Sequence, residues 1–321
     1  MAERPIRVGL VGAGSIAQIA ELPALAALPG VAIAGVVTET AASARANLER
    51  WPIERSYESF EAMLSGARLD ALFVLTPKQL HRPFVSAALE AGIDVFCEKP
   101  LATTLEDARA MAGLAERTGR LLMVGFNRRY AEVYRRAREE FRERPVQFCV
   151  AQKNRPGSEY RATLENAIHM IDLLRWFCGE AETVTAHTTA PDPYHEDGTL
   201  ALIRFAGGAI GSLVAARTAG EWDERFDVYG SRTSVRVVAP DSLAITRDGE
   251  TRLIEMRPRA SGWAQVNTTM GFGPEVAHFV ECVRERRQPL TDGREAVRTQ
   301  ELVEEILRAA GLPLADRPPG A

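Results

Sequence analysis

The chain has 321 residues, 46% apolar and 26% charged, a balance that suits about two globular domains and excludes disordered, collagen-like and fibrous architectures. Its formal net charge of -4, with no concentrated basic face, argues against nucleic-acid binding, which needs clustered cations for phosphate. The longest apolar runs are strand-sized, well short of the roughly 20 residues of a membrane-spanning helix.

Met1 to Pro5 lead directly into the strand-like Ile6 to Val11 without a charged leader or cleavage site, which predicts a cytoplasmic protein. Cys97, Cys149, Cys178 and Cys282 are widely spaced and form no C-x-x-C pair, so four reduced thiols are expected. His, Cys and carboxylate residues show no ligand-like spacing, and no metal is expected. Only Lys78, Lys99 and Lys153 among the 39 basic residues are lysines. Each is therefore a candidate for a lysine-specific task, with compositional bias as the alternative.

From residue 6 to about 125, β-branched runs alternate with helical patterns, as a parallel sheet with crossover helices requires. Strands are predicted at Ile6 to Val11, Ala32 to Val37, Ala71 to Leu75, Asp94 to Cys97 and Leu121 to Val124. The helix Ser15 to Leu28 stops at Pro29-Gly30, the helix Pro83 to Ala91 stops at Gly92, and Thr103-x-x-Glu106 reads as a capping box for a helix ending at Thr118. After a helix around Ala131 to Glu143, strands dominate: Val146 to Gln152, Val184 to Thr189, Leu200 to Phe205, Ile210 to Ala216, Phe226 to Tyr229, Ser234 to Val238, Leu243 to Thr246 and Arg252 to Met256. Gly207-Gly208 and Asp248-Gly249 are hairpin signals, so this half reads as a mostly antiparallel sheet. Three helices accompany it, Leu164 to Cys178, Glu275 to Arg286 and Arg294 to Ala310, and Ala315 to Ala321 reads as a loose tail. The predicted fold class is α/β: a Rossmann domain over residues 1–124, then an α+β domain with a large antiparallel sheet over residues 125–321.

Gly12-Ala13-Gly14-Ser15-Ile16-Ala17 follows the first strand and opens a helix, the context that gives a G-x-G-x-x-G/A pattern its meaning. Gly12 permits the tight turn, Gly14 lets a pyrophosphate approach the backbone, and small Ala17 lets helix and strand pack. The start of the helix at Ser15 and Ile16 attracts the anion. A ribose-binding acid is expected at the end of the second strand, where the chain reads Val37-Thr38-Glu39. Thr38 holds the expected position and Glu39 comes one place late. The nearest downstream cation, Arg45, falls on the next helix, and Glu39 would repel a 2'-phosphate, so NAD is favoured over NADP.

Several further pieces stand in a fixed order: Thr76-Pro77 with His81; Ala88-Leu89-Glu90-Ala91-Gly92 before Glu98-Lys99-Pro100-Leu101-Ala102; Gly125-Phe126-Asn127-Arg128-Arg129; His169 with Asp172; and Phe279. With the glycine loop they make nearly the whole chain resemble the glucose-fructose oxidoreductase and inositol dehydrogenase family (Gfo/Idh/MocA). The resemblance implies that Thr76, Pro77, His81, Glu98, Lys99 and Asn127 serve the cofactor, and that Lys99 also contacts a substrate hydroxyl. Independently of it, Lys99 lies just past a parallel strand, on the edge where ligands bind open sheets, and Pro100 restricts its backbone to an extended conformation.

Glu165, His169, Asp172 and Trp176 are spaced four, three and four, and fall on one stripe of an α-helix. That spacing brings a carboxylate within reach of an imidazole, as a general base needs. A lone helical histidine is more often structural, and it is the resemblance that turns His169 into a base. Where the family carries an aspartate four residues before this histidine, amid glycines, this chain has Glu165 in Arg161-Ala162-Thr163-Leu164-Glu165-Asn166-Ala167. Glu165 keeps charge and spacing but not length, and Asp172 reads as an orienting rather than a reacting group.

The family's pocket implies that Arg129, Lys153, Asn154 and Tyr160, with Asn127, bind a polyhydroxylated substrate beside His169. Arg128 and the arginines from Arg135 to Arg144 read as a solvated helix face. Trp222, Trp263 and His195 fall in loops, and the sequence leaves them undecided. The resulting expectation is hydride transfer between a nicotinamide and a secondary carbinol of a sugar, cyclitol or sugar derivative. His169 takes the hydroxyl proton, and Lys99, its pKa lowered by burial and the positive ring, steadies the alkoxide. A homodimer or homotetramer joined through the second sheet is expected. Two other readings stay open: a dinucleotide sensor that has lost turnover, and an imine or enone reductase on the same fold.

Overall fold

The computed structural model describes residues 4–157, 161–256 and 268–315, which cluster into two compact units. The first takes the residues up to Phe126 together with Phe272–Val297, and the second takes Asn127–Gly271 with the residues from Arg298 on.

In the first unit, five strands form a parallel sheet: β1 (Ile6–Val11), β2 (Val31–Val37), β3 (Ala71–Val74), β4 (Asp94–Cys97) and β5 (Leu122–Val124), in the order β2-β1-β3-β4-β5. The interior strands β3 and β4 are buried at every position, as a sheet covered on both faces demands. Beside β2, isolated parallel bridges Ile33–Ile53 and Val36–Ser56 mark a rudimentary sixth strand. With it, the order becomes that of the dinucleotide-binding fold. The crossovers are a π-helical turn (Ala17–Glu21) running into α1 (Leu22–Ala27), then α2 (Ala41–Arg50), α3 (Phe60–Gly66), α4 (His81–Glu90) and α5 (Leu105–Thr118). Helix α2 is the one expected to carry Arg45, its bounds unmarked in the sequence, and α3 is not among the expected elements. The cap of α5 is Thr104, whose side chain accepts from the Asp107 N–H at 3.1 Å, one residue later than the expected Thr103.

The expected boundary between residues 124 and 125 is incomplete, because α8 (Phe272–Glu285) returns to the first unit. The physical reason is apolar. Phe279 is fully buried, edge-on to Phe73 at 5.5 Å and tilted against Phe96 at 5.8 Å. Arg286, just past the helix, also pairs with Asp94 of β4.

In the second unit, eight strands make one sheet, in the order β13-β12-β11-β10-β6-β9-β8-β7. They are β6 (Phe148–Asn154), β7 (Ala181–Thr189), β8 (Gly198–Phe205), β9 (Ile210–Ala216), β10 (Asp223–Gly230), β11 (Thr233–Val238), β12 (Ser242–Arg247) and β13 (Glu250–Glu255). All neighbours are antiparallel except β6 and β9. Asp248 and Gly249 both take positive φ, 50° and 92°, which closes the two-residue β12–β13 hairpin their sequence signals. Helices α6 (Glu132–Glu140) and α7 (Ile168–Cys178) pack on this sheet, and α9 (Gly293–Ala309) runs late in the chain. No helix among the described residues is long and apolar enough to cross a membrane.

Candidate active site

The first unit reverses its strand order between β1 and β3, and the glycine turn sits at that point. Gly12 has φ +85°, and a Cβ there would lie 2.7 Å from the Leu75 carbonyl oxygen and 3.0 Å from the Thr76 nitrogen. Only glycine fits this close crossing of the two strand ends. A Cβ on Gly14, by contrast, would meet nothing within 4 Å, which leaves the open space a pyrophosphate requires. Ala17 is fully buried, as close helix–strand packing needs, while Ser15 and Ile16 are exposed. These features fit a dinucleotide. Thr38 directly follows β2 and donates its hydroxyl to the Thr40 carbonyl at 3.0 Å; Glu39 is exposed, and Arg45 lies on α2.

Lys99 follows β4 on the same carboxyl-terminal edge, half-buried, and is joined to Pro100 by a cis peptide. Its N–H donates to its neighbour's carboxylate, Glu98 Oε2, at 3.1 Å. His81 opens α4. Its ring is buried, with Nε2 2.9 Å from the Thr76 carbonyl and Nδ1 3.0 Å and 3.2 Å from those of Pro100 and Leu101. Burial pushes its pKa down and favours the neutral ring. A neutral ring has a single N–H and donates to only one of these two sides, and its place between the Thr76 turn and the turn that carries Lys99 lets His81 position the sheet edge.

In the second unit, three of the expected ligand-binding side chains have partners inside the protein. Arg129 makes a two-pronged bond to Asp172, at 2.8 and 2.7 Å, and Asp172 also accepts from Thr299 at 3.0 Å. Lys153 pairs with Glu224, its direct neighbour across the β6–β10 ladder. Asn127 donates to the Met270 carbonyl at 2.9 Å and accepts from Arg128 at 3.1 Å. In each case a buried polar group has found its partner inside the protein, because an unpaired one is expensive. Arg128 is likewise not a solvated group: it is buried and bidentate to Glu224 at 3.0 and 2.8 Å. Burial would raise the Glu224 pKa, but Arg128 and Lys153 overcome it and hold the carboxyl far below the usual range. Tyr134 completes this network with a 2.7 Å bond to Glu224.

His169 stands in the first turn of α7, 6% exposed. The turn before it, Ala162–Ala167, is π-helical and not the expected α-helix. Glu165 therefore stands in the widened turn, and His169, Asp172 and Trp176 stand on α7. Glu165 is half-buried and accepts the Arg161 N–H at 3.1 Å. Asn166, missed in the sequence, donates to the Lys153 carbonyl at 3.3 Å. Its Oδ1 and that of Asn154 are buried and have no partner among the described residues, so each can accept from a ligand hydroxyl. The spacing of Asn166 three residues before His169 was the available signal. Tyr160 and Trp263 lie outside the described residues. Trp222 is 43% exposed, with the Lys153 ammonium 5.9 Å from its ring centre, and His195 Nε2 lies 2.6 Å from Arg217 Nη1.

Residues 6–126 match the model of an oxidoreductase family with an NAD-binding Rossmann fold, and residues 152–311 match its C-terminal alpha/beta domain. The chain belongs to this Gfo/Idh/MocA family. It is 30% identical to the putative oxidoreductase YceM of Salmonella typhimurium, with 96% of this chain and 99% of that protein covered. It is 29% identical to the D-apiose dehydrogenase of Paraburkholderia graminis, covering 92% and 85%. Among solved structures, an oxidoreductase from Agrobacterium radiobacter in complex with NAD+, L-tartaric acid and magnesium superposes with a TM-score of 0.87 at 21% identity, covering 95% and 96% of the two chains. The Gfo/Idh/MocA assignment makes the protein an oxidoreductase whose first unit is an NAD-binding Rossmann domain.

Proposed function

We propose that the protein transfers hydride between a nicotinamide and a secondary carbinol of a sugar, cyclitol or related polyol. The observation that carries this reading is Lys99, half-buried directly after β4 on the sheet edge that also bears the Gly12–Gly14 turn. Bound nicotinamide supplies the hydride-accepting ring. Lys99 steadies the negative charge developing on the carbinol oxygen, and His169 takes the hydroxyl proton with Glu165 as its orienting carboxylate. Asn154 and Asn166 accept hydrogen bonds from further hydroxyls, and Tyr160 belongs to the same proposed set. The D-apiose dehydrogenase relative supports a sugar as substrate.

NAD is the preferred dinucleotide in this reading, because the exposed Glu39 just beyond β2 repels a 2'-phosphate. The outer face of the second sheet supports self-association. Phe148 sits beside Ile210, Val150 and Leu202 flank Ser212, and Leu200 sits beside Val214. Of these, Phe148, Val150, Leu200, Leu202 and Ile210 are exposed. A second copy of the chain covers this row in a homodimer, and light scattering of Leu202→Arg, which is expected to give a monomer, tests it. The reaction is tested by turnover across inositols, aldoses and sugar acids with NAD and NADP. Dinucleotide binding without turnover on any of them would leave the sensor reading instead.

A further inference from the structure

Glu21 ends the π-helical turn that follows the glycine loop, and its side chain is wholly removed from solvent. Among the described residues no N–H or hydroxyl group donates to either of its carboxyl oxygens. An ionised carboxylate cannot persist in such a place without a cation or several donors. The charge it faces is instead a second carboxylate, Glu98, which together with burial drives the Glu21 pKa well upward, burial being the larger cause. Glu98 is itself wedged in place. Its Oε2 accepts the Lys99 N–H at 3.1 Å, and its Oε1 lies 3.0 Å from where a Cβ on Gly125 would stand. The other titratable groups nearby are Cys97, kept protonated by burial and by Glu98, Lys99 on the adjoining residue, and Glu275, buried on α8, which packs against the π-helical turn.

We propose that Glu21 is a positioning residue, a neutral carboxylic acid at physiological pH that donates its O–H to the Glu98 carboxylate and so fixes the group that holds the main chain of Lys99. Two carboxyls that cannot both ionise at close range share one proton, and a protonated acid is the one form of Glu21 that can donate to Glu98. The π-helical turn gives a reason for its geometry: the widened turn carries the residue that must face inward toward the end of β4. The proposal concerns the first unit alone and does not depend on the substrate.

Infrared spectra of the full-length protein without added ligand test it directly. The carbonyl stretch of a protonated carboxyl is expected at neutral pH and is expected to vanish in Glu21→Gln. The stability comparison has a defined sign. A carboxyl whose folded pKa lies above its unfolded value costs no stability below the unfolded pKa, and costs progressively more as pH rises toward the folded pKa. Glutamine has no such cost. The unfolding constant of the wild type relative to Glu21→Gln is therefore expected to rise about tenfold per pH unit above about pH 5. For activity, Glu21→Leu removes the donor and is expected to lower kcat about tenfold with little change in dinucleotide affinity. Glu21→Gln, whose amide N–H donates to Glu98, is expected to restore most of it. A band that survives in Glu21→Gln, parallel pH–stability curves, or equal activity of the Leu and Gln variants would each overturn the proposal.

Discussion

Gly12 and Gly14 stand two residues apart in one turn, yet the structure assigns them opposite tasks, so their substitutions are expected to fail in opposite ways. In Gly12→Ala the new Cβ meets the Leu75 carbonyl oxygen at 2.7 Å, its carbon at 2.8 Å and the Thr76 nitrogen at 3.0 Å. All three are main-chain atoms at the end of β3, so none can swing aside. The left-handed backbone at φ +85° adds about 1–2 kcal/mol for an L-residue, and forcing the two strand ends apart adds about 1–3 kcal/mol, together about 2–5 kcal/mol of stability. Gly14→Ala meets nothing within 4 Å and is expected to change stability by no more than about 0.5 kcal/mol. Gly14→Val fills the space left for the pyrophosphate, and a loss of about 100-fold in dinucleotide affinity, about 3 kcal/mol, is expected from a protein that stays folded. Urea denaturation reads the first effect and titration calorimetry with NAD the second. Native NAD affinity in Gly14→Val, or equal stability of the two alanine variants, would refute the reasoning.

Glu39→Ala is expected to narrow the NAD-over-NADP preference about tenfold, read as the ratio of kcat/KM for the two cofactors, and a native preference for NADP would contradict it. Glu224→Gln removes the buried negative charge that Arg128 and Lys153 share and is expected to cost about 3–5 kcal/mol. Because the folded pKa of Glu224 is depressed, its ionised form stabilises the protein above the unfolded pKa and loses that effect as pH falls. Acid denaturation below about pH 5 is therefore expected to be shallower in Glu224→Gln than in the wild type. Arg129→Ala is expected to destabilise the second unit by a similar amount through Asp172, as thermal melting would show, and not to act as a selective rise in KM.

Local chemistry made much of this architecture legible. The strands β1 and β4 fall where their β-branched runs place them, and Asp248-Gly249 makes its hairpin. Positions that depend on long-range partners were not legible. The partner that engages both prongs of the Arg129 guanidinium, Asp172, is 43 residues away and has no local signal. Arg128 looks solvated until Glu224 appears on a neighbouring strand. The return of α8 to the first sheet depends on Phe279 meeting Phe73 and Phe96, a contact without any local trace. The π-helical turn before His169 has no periodic signature in apolar residues, so in the sequence Glu165 reads as part of the same α-helix as His169. Lys99 was legible for the opposite reason: the end of a parallel strand is a place that topology alone marks out.

In the proposed reaction Lys99 is the group that meets the developing alkoxide. The most direct test is the single-turnover rate of Lys99→Met on the best substrate from a polyol panel, with dinucleotide affinity measured alongside. A fall of about 100-fold or more with NAD binding nearly unchanged is expected, the range for removing a group that acts only in the transition state. Near-native turnover in Lys99→Met would contradict the mechanism and require a different residue to hold the charge.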